Sequence, residues 1–343
     1  MRLYMCIMRS RDWGGVFEPI EPPVEKPEIP TTPPSTEDLI TIKIEDDIMA
    51  VVGTKTWNAI AYGNGKYVAV GDSGYITTST DGVNWTTPQR PIDDDFTNDI
   101  YAITYADGVF IAAGRSCIYT SNNGINWQSE YAGVDSYVIR AILYHNGLCI
   151  AVGSVKVGSY FKSAILISNN KGESWITAYQ TNAMEDFYAV TYANGKYHAI
   201  SGTYGYYTTS ADGITWESQY QLLGSSSAYY PLKIVSDVNG NLIVVAKHPY
   251  IYYVANGERL AKQIIVDPTD KYSSPNFRDA IYRNGTFIMI GDGYMMNKAG
   301  TTLMHYAITT TSADGITWTI PAIMIDNNGN DVVQAPYNMI EIQ

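Results

Sequence analysis

From residue 57 onward, apolar and polar positions alternate in short runs of five to seven residues, and each run stops at a turn signal. One run reads apolar–x–Ala–Ile–x–Tyr–x–Asn–Gly. It recurs, with variation, as WNAIAYGNG (57–65), IYAITYADG (100–108), IRAILYHNG (139–147), FYAVTYANG (187–195), LKIVSDVNG (232–240) and FRDAIYRNG (277–285). Asn-Gly or Asp-Gly between two alternating runs predicts a tight hairpin, because both central residues of that turn need positive φ. A second run follows each turn (KYVAVG, VFIAAG, LCIAVG, KYHAISG, NLIVVA, TFIMIG), and a third leads into another signal. That signal is STDGVNW (79–85), SNNGINW (121–127), SNNKGESW (168–175), SADGITW (210–216) and SADGITW (312–318), decayed to VANGERL at 254–260.

Each unit of about 40–48 residues therefore holds four short strands, here A to D, with tight turns between A and B and between C and D. One such sheet cannot bury both its faces, so the units must stack around an axis and close into a ring. The fold class that follows is all-β: a β-propeller of about six four-stranded blades, with seven possible. Residues 38–53 and 321–343 are strand-like but belong to no complete repeat. They are expected to close the ring, as an extra outer strand or as a seventh, composite blade. Long insertions fall between strands B and C in the third unit (153–163) and the sixth (291–306).

Ahead of the repeats the chain divides into three. Residues 1–17 mix apolar side chains, Trp13 and Phe17 among them, with three arginines. Residues 18–37 carry prolines at 19, 22, 23, 27, 30, 33 and 34, a composition that disfavours strand pairing and prefers extended polyproline geometry of about 3.1 Å per residue. Residues 38–343 make the propeller. A sticky peptide on a stiff spacer reads as an N-terminal extended tether, with Trp13 and Phe17 as anchoring residues.

Charge removes some partners. With 22 basic and 34 acidic residues the formal net charge is −12, and no basic cluster exists to displace phosphate counterions. Nucleic acid and an anionic membrane surface are not expected. No apolar run reaches the ~20 residues of a membrane-spanning helix, and the first residues lack a signal-peptide core. The three cysteines (Cys6, Cys117, Cys149) show no metal-ligand spacing, and Cys117 and Cys149 lie in strand-like runs where a thiol acts as a small apolar filler. The four histidines fall in different units without ligand spacing, so no metal and no cofactor is expected.

The Ser-x-Asp-Gly-x-x-Trp turns resemble the Asp-box, or BNR repeat, of sialidases and related propellers. The resemblance covers residues 57 to about 320, with the motif in five of six units. It implies structural roles for Asp81, Asn123, Asn170, Asp212 and Asp314 within the turns, and for Trp85, Trp127, Trp175, Trp216 and Trp318 between strands. Sialidases of this family also use three arginines, a Tyr–Glu pair and an acid/base Asp. The family's Arg-Ile-Pro signature is absent, and FRDA at 277–280 is its nearest echo. Arg115, Arg140 and Arg278 are the arginines that a substrate clamp would have to recruit. No catalytic residue is expected.

A ligand would meet the ring where the A strands begin. The second residue of each A run is Asn58, Tyr101, Arg140, Tyr188, Lys233 or Arg278, three of them basic in an acidic chain. Such a channel mouth suits an anionic or sugar-like group. The function expected is a non-enzymatic structural or adhesive virion component, of phage tail or head-fibre type. It would dock on other virion or assembly proteins through its N-terminal peptide and display the propeller to protein or glycan. The alternatives are a carbohydrate-binding protein, extracellular or on a cell surface, and a sialidase-like hydrolase.

Overall fold

The structure, a computed structural model, describes residues 4–8, 47–50, 55–82, 84–91, 98–130, 136–202, 204–223, 231–246, 250–255, 258–264, 273–296, 303–319, 321–323 and 336–341. Six antiparallel sheets follow one another along the chain, each meandering from an inner strand outward. The inner strands are Trp57–Gly63, Ile100–Ala106, Tyr137–His145, Phe187–Ala193, Pro231–Ser236 and Ser273–Arg283. Each packs beside the next, so the sheets stand around a common axis as propeller blades. Blades two to six have four strands. Blade one has three, its fourth position marked by a single bridge between Ile76 and Gln89. Among the described residues the one helical element is the 3-10 turn Asp72–Gly74.

The Asn-Gly and Asp-Gly turns take positive φ at both residues in blades one to four and six, for example Asn64 (50°) and Gly65 (70°). Blade five departs from this. Asp237 accepts from the N–H groups of Asn239 (2.9 Å) and Asn241 (2.8 Å), and Ser236 pairs with Leu242. In blade four the matching pair is Tyr192 with Tyr197, so the hairpin of blade five is one residue longer.

Second strands are buried on both faces because each blade is sandwiched between two others. Val109–Gly114 and Leu242–Ala246 bury every residue except Val109 at one end. The cores accordingly lie between blades. Ile111, Ala113 and Ile118 of blade two pack with Ile139, Cys149, Ala151 and Leu166 of blade three. Cys117 and Cys149 are buried as apolar fillers, and burial pushes both thiols up to about 12.

The two predicted insertions are strand-paired over their described residues. They continue strands B and C as paired hairpins: Leu148–Val157 with Tyr160–Ser168, and Thr286–Met296 with Leu303–Ser312.

A seventh, three-stranded sheet closes the ring. Its order is Asp47–Ala50, Tyr4–Met8, Pro336–Glu341, and Pro336–Glu341 packs between the inner strands of blades six and one. Closure is therefore the composite blade, with a participant that the sequence pattern did not suggest. The expectation that residues 1–17 all stand clear of the ring does not hold for Tyr4–Met8, which pair on both edges. Trp13, Phe17 and the proline-rich stretch lie outside the described residues.

Candidate functional site

The two ends of the blades are built differently. At one end lie the A–B hairpins and the C–D turns. Five C–D turns share one geometry: in blade four the Ser210 hydroxyl accepts from Gly213 N–H (2.8 Å) and donates to Asp212 Oδ1 (2.9 Å). Asp212 Oδ1 accepts from Ile214 N–H (2.8 Å) and Thr215 N–H (2.7 Å), and the Trp216 indole donates to Gly213 O (3.1 Å). Ser79/Asp81/Trp85, Ser121/Asn123/Trp127, Ser168/Asn170/Trp175 and Ser312/Asp314/Trp318 repeat most of this set. Trp127, Trp175, Trp216 and Trp318 then pack in clusters shared with the preceding blade, whereas Trp85 packs with Trp57 and Tyr67 of its own blade. Trp127 meets Val68 and Val70, and Trp216 meets Ile150 and Val152. Lys66 Nζ reaches Asn123 O (3.1 Å) and Lys171 Nζ reaches Asp107 O (2.7 Å), tying hairpins to the next blade's turn.

The other end is the channel mouth. Here strand A carries a β-bulge in every blade, and the bulged residue is Asn58, Tyr101, Arg140, Tyr188 and Arg278 in blades one to four and six. A bulge leaves one residue unpaired and re-aims its side chain. In blades one, two, three and six the residue opposite is Gly. A Cβ on Gly153 would stand 1.8 Å from Val138 O, so the bulged backbone is closely covered there. Blade five differs again: Leu232 is bulged and Lys233 is paired with Val245. Its longer hairpin is the reason, since counting back from Asn239-Gly240 stops one position short.

Tyr101, Arg140 and Tyr188 are brought together. The Arg140 guanidinium lies 4.7 Å from the centre of the Tyr101 ring and 5.1 Å from that of Tyr188. It is held in place by Asp186, whose Oδ2 accepts from Nε and Nη2, both at 2.7 Å, while Oδ1 accepts from Ser154 (2.5 Å). Tyr101 donates to Asp99 Oδ2 (3.1 Å), and Arg115 Nη2 reaches the Tyr101 hydroxyl at 3.4 Å.

The remaining candidates act apart from this cluster. Asn58 is buried, and its amide donates to Asp72 Oδ1 (2.8 Å) and Ile100 O (2.9 Å), a tie between blades one and two. Lys233 bridges to Asp279 (2.9 Å), which is buried in blade six. Arg278 Nε donates to Asp292 Oδ1 (2.5 Å), and His305 shares the same carboxylate (2.7 Å). Burial of Asp292 opposes its charge, but the hydrogen bond from His305 and the nearby Arg278 guanidinium outweigh it and hold the carboxyl below its ordinary value.

The acidic partners were the part missed in sequence. Two positions supply all of them but Asp279: the residue before strand A (Asp99, Asp186) and the residue after the closing Gly of strand B (Asp72, Asp292). Recurrence of D-x-Tyr at 99–101 and 186–188, and of Gly-Asp at 71–72 and 291–292, was the available signal. Among the described residues no group of His, Cys, Asp and Glu is arranged to hold a metal ion.

Beside the mouth, the B–C hairpin of blade three projects beyond the bulge. Its tip exposes Val157, Tyr160 (61%) and Phe161, with Met184 (71%) exposed on the neighbouring D–A connection. Tyr204, on the B–C connection of blade four, is exposed as well. Lys162 Nζ donates to Asn182 Oδ1 (3.1 Å), and Ser163 N–H to Ala183 O (3.1 Å), so the hairpin and that connection are joined.

The sequence matches no protein-family model and no curated protein. Among solved structures the fold is a β-propeller. The chain is similar to "YCF48 bound to D1 peptide", with a TM-score of 0.57, 15% identity, and coverage of 84% of this chain and 91% of that one. It is similar to YCF48 from Cyanidioschyzon merolae (TM-score 0.54, 13% identity, covering 84% and 96%). It is also similar to the WD40 β-propeller domain of Doa1 (TM-score 0.51, 10% identity, covering 84% and 92%). At such identities the likeness is one of fold alone.

Proposed function

We propose that this chain is a non-enzymatic binding propeller, a structural or adhesive component of a large particle of the virion type. It is held there through the segment that contains Trp13 and Phe17, and it offers its mouth face to a protein partner. The observation that carries the reading is the exposed crest of Val157, Tyr160, Phe161 and Met184 standing beside the mouth. A crest of large apolar side chains on the rim of a polar surface is typical of a protein contact. The mouth itself favours binding over chemistry. Arg140, Lys233 and Arg278 each engage a carboxylate of the same chain, which opposes their recruitment as an arginine clamp on an anionic substrate. The faces of Tyr101 and Tyr188 lie against Arg140, which weighs against sugar stacking at this point. A neighbour of the same fold, YCF48, is recorded with a bound peptide, in keeping with a protein ligand.

The test compares retention of purified variants in the parent particle. Tyr160→Ser/Phe161→Ser should fold normally and lose the displayed partner while staying in the particle. Trp13→Ala/Phe17→Ala should be lost from the particle while keeping the partner. Equal behaviour of both variants and the natural chain would refute the division of labour. Turnover of reporter glycosides that disappears in Arg140→Ala would refute the non-enzymatic reading, and glycan capture without turnover would replace the protein partner with a carbohydrate.

A further inference from the structure

The charges at the mouth end are satisfied unevenly. Asp72, Asp99, Asp186, Asp279 and Asp292 each accept from groups of the same chain, and Arg140, Lys233 and Arg278 each hold one of these carboxylates. Arg115 and Lys156 differ, since neither has a carboxylate partner among the described residues. Arg115 is exposed, and its guanidinium meets the Tyr101 hydroxyl at a long 3.4 Å. Lys156 is exposed on the projecting hairpin of blade three.

These two cations flank the same short piece of backbone. Arg115 bridges to Val138 at one edge of strand A of blade three, and Ser116 N–H donates to Tyr137 O (2.9 Å). At the other edge Val155 pairs with Tyr137, and Lys156 N–H donates to Ser136 O (2.9 Å). Across the strands the Arg115 and Lys156 backbones are two spacings, about 10 Å, apart. Residues 154–157 then carry the hairpin about 13 Å past Gly153.

Register sorts the side chains of that tip. Directly opposed residues of a hairpin point the same way, and successive ones alternate. Val155 is buried in the cluster that blade three shares with blade two. Val157 and its opposite residue Tyr160 therefore stand on the blade-two side, where Arg115 lies, and Lys156 and its opposite residue Phe161 stand on the blade-four side. The Ser154 hydroxyl obeys the same alternation, reaching Asp186 ahead of strand A of blade four. Each apolar side of the tip thus has a cation near its base.

We infer, on the binding reading proposed above, that the protein partner of the crest presents an acidic segment to it, with Asp or Glu flanking a large apolar side chain. Charge complementarity selects this partner. A chain of net charge −12 repels acidic surfaces in general, and the exposed Arg115 and Lys156 offset that repulsion at the crest. An apolar side chain laid on Tyr160 or Phe161 supplies buried area, and a carboxylate on the Arg115 fork supplies direction. Two cations release few counterions, so a phosphate backbone would be held weakly here.

The test probes the full chain with immobilised synthetic peptides, acetylated and amidated at their ends. One set places Asp and Glu around a central Leu or Phe, and a second places Asn and Gln at the same positions. The acidic set should be captured and the amide set should not. Capture should weaken several-fold as salt is raised through the physiological range. Arg115→Gln/Lys156→Gln should weaken it about fivefold, as the loss of two exposed ion pairs, and Tyr160→Ser/Phe161→Ser should abolish it. Equal capture of both sets, or capture indifferent to salt and to Arg115→Gln/Lys156→Gln, would overturn the acidic partner and leave an apolar contact. Capture of neither set would overturn it as well. Failure of the underlying binding reading shows separately, as retention of the displayed partner on the parent particle by Tyr160→Ser/Phe161→Ser.

Discussion

The turn face and the mouth face of this propeller are made from the same blades by opposite rules. At the turn face the same three side chains do the same job five times: a Ser hydroxyl, an Asp or Asn and a Trp close the C–D turn, and in four of the five the Trp also packs on the preceding blade. At the mouth the backbone repeats its bulge, but the bulged side chain is Asn, Tyr, Arg, Tyr, Leu and Arg in turn. Repetition in side-chain identity marks what the fold requires of every blade. Repetition in backbone with divergent side chains marks a surface that is free to vary. The closing blade obeys neither rule, since its strands share no repeat motif and come from three separated pieces of chain.

The sharpest way to break the comparison is at Trp216, buried between blades three and four against Ile150, Val152 and Ile165. Trp216→Ala leaves a large cavity at that interface and is expected to destabilise by about 3–5 kcal/mol, read from denaturant unfolding. Binding at the mouth should be unchanged once the protein is folded. Unaltered stability with lost binding would reverse the roles of the two faces.

A smaller effect is expected at the mouth. Arg140→Ala removes the partner of Asp186, whose side chain is 16% exposed, and leaves it with the Ser154 hydroxyl. Because both charges retain some solvent contact, the cost should be about 1–2 kcal/mol rather than that of a fully buried pair. Arg140→Lys should restore little, since an ammonium cannot present the same pair of N–H donors to Asp186. Equal stability of Arg140→Lys and the natural chain, by thermal unfolding, would show that the guanidinium geometry contributes nothing.

What was legible in the sequence follows the same division. The hairpin turns, the C–D turns and the blade boundaries could be read because Asn-Gly and Ser-x-Asp are local chemistry, satisfied within a few residues. The candidate mouth positions were found by counting back from each Asn-Gly, which succeeded in five blades and slipped in blade five, where Asp237 builds a longer turn. The partners of those residues were not found, because Asp186 meets Arg140 across 46 residues of chain and only the closed ring brings them together. Tyr4–Met8 escaped for a related reason. A five-residue strand without turn signals is specified by the two edges it fills, and those edges come from opposite ends of the chain.

The smallest expected effect separates the turns among themselves. Blades two and three use Asn123 and Asn170 where blades four and six use Asp212 and Asp314, in the same hydrogen-bonding position. The backbone N–H groups of Thr215 and Ile214 and the Ser210 hydroxyl hold the Asp212 carboxyl down at about 2, and Thr317 and Ile316 do the same for Asp314, against an ordinary value of 3.8. A carboxyl whose folded pKa is depressed adds stability that is complete above the unfolded value and is lost as pH falls towards the folded one. The turns of Asp212 and Asp314 should therefore weaken between about pH 4 and pH 2, while the Asn turns, with no proton to gain, stay constant. Both carboxylates are solvent-exposed, so the change is expected to be modest. Asp212→Asn/Asp314→Asn should match the natural chain closely at neutral pH, where either side chain accepts the same N–H groups. It should flatten the acid limb of a stability-versus-pH curve measured by urea unfolding. An unchanged acid limb would mean that the acid sensitivity of the ring resides in other carboxylates, with Asp292 at the mouth the next to replace.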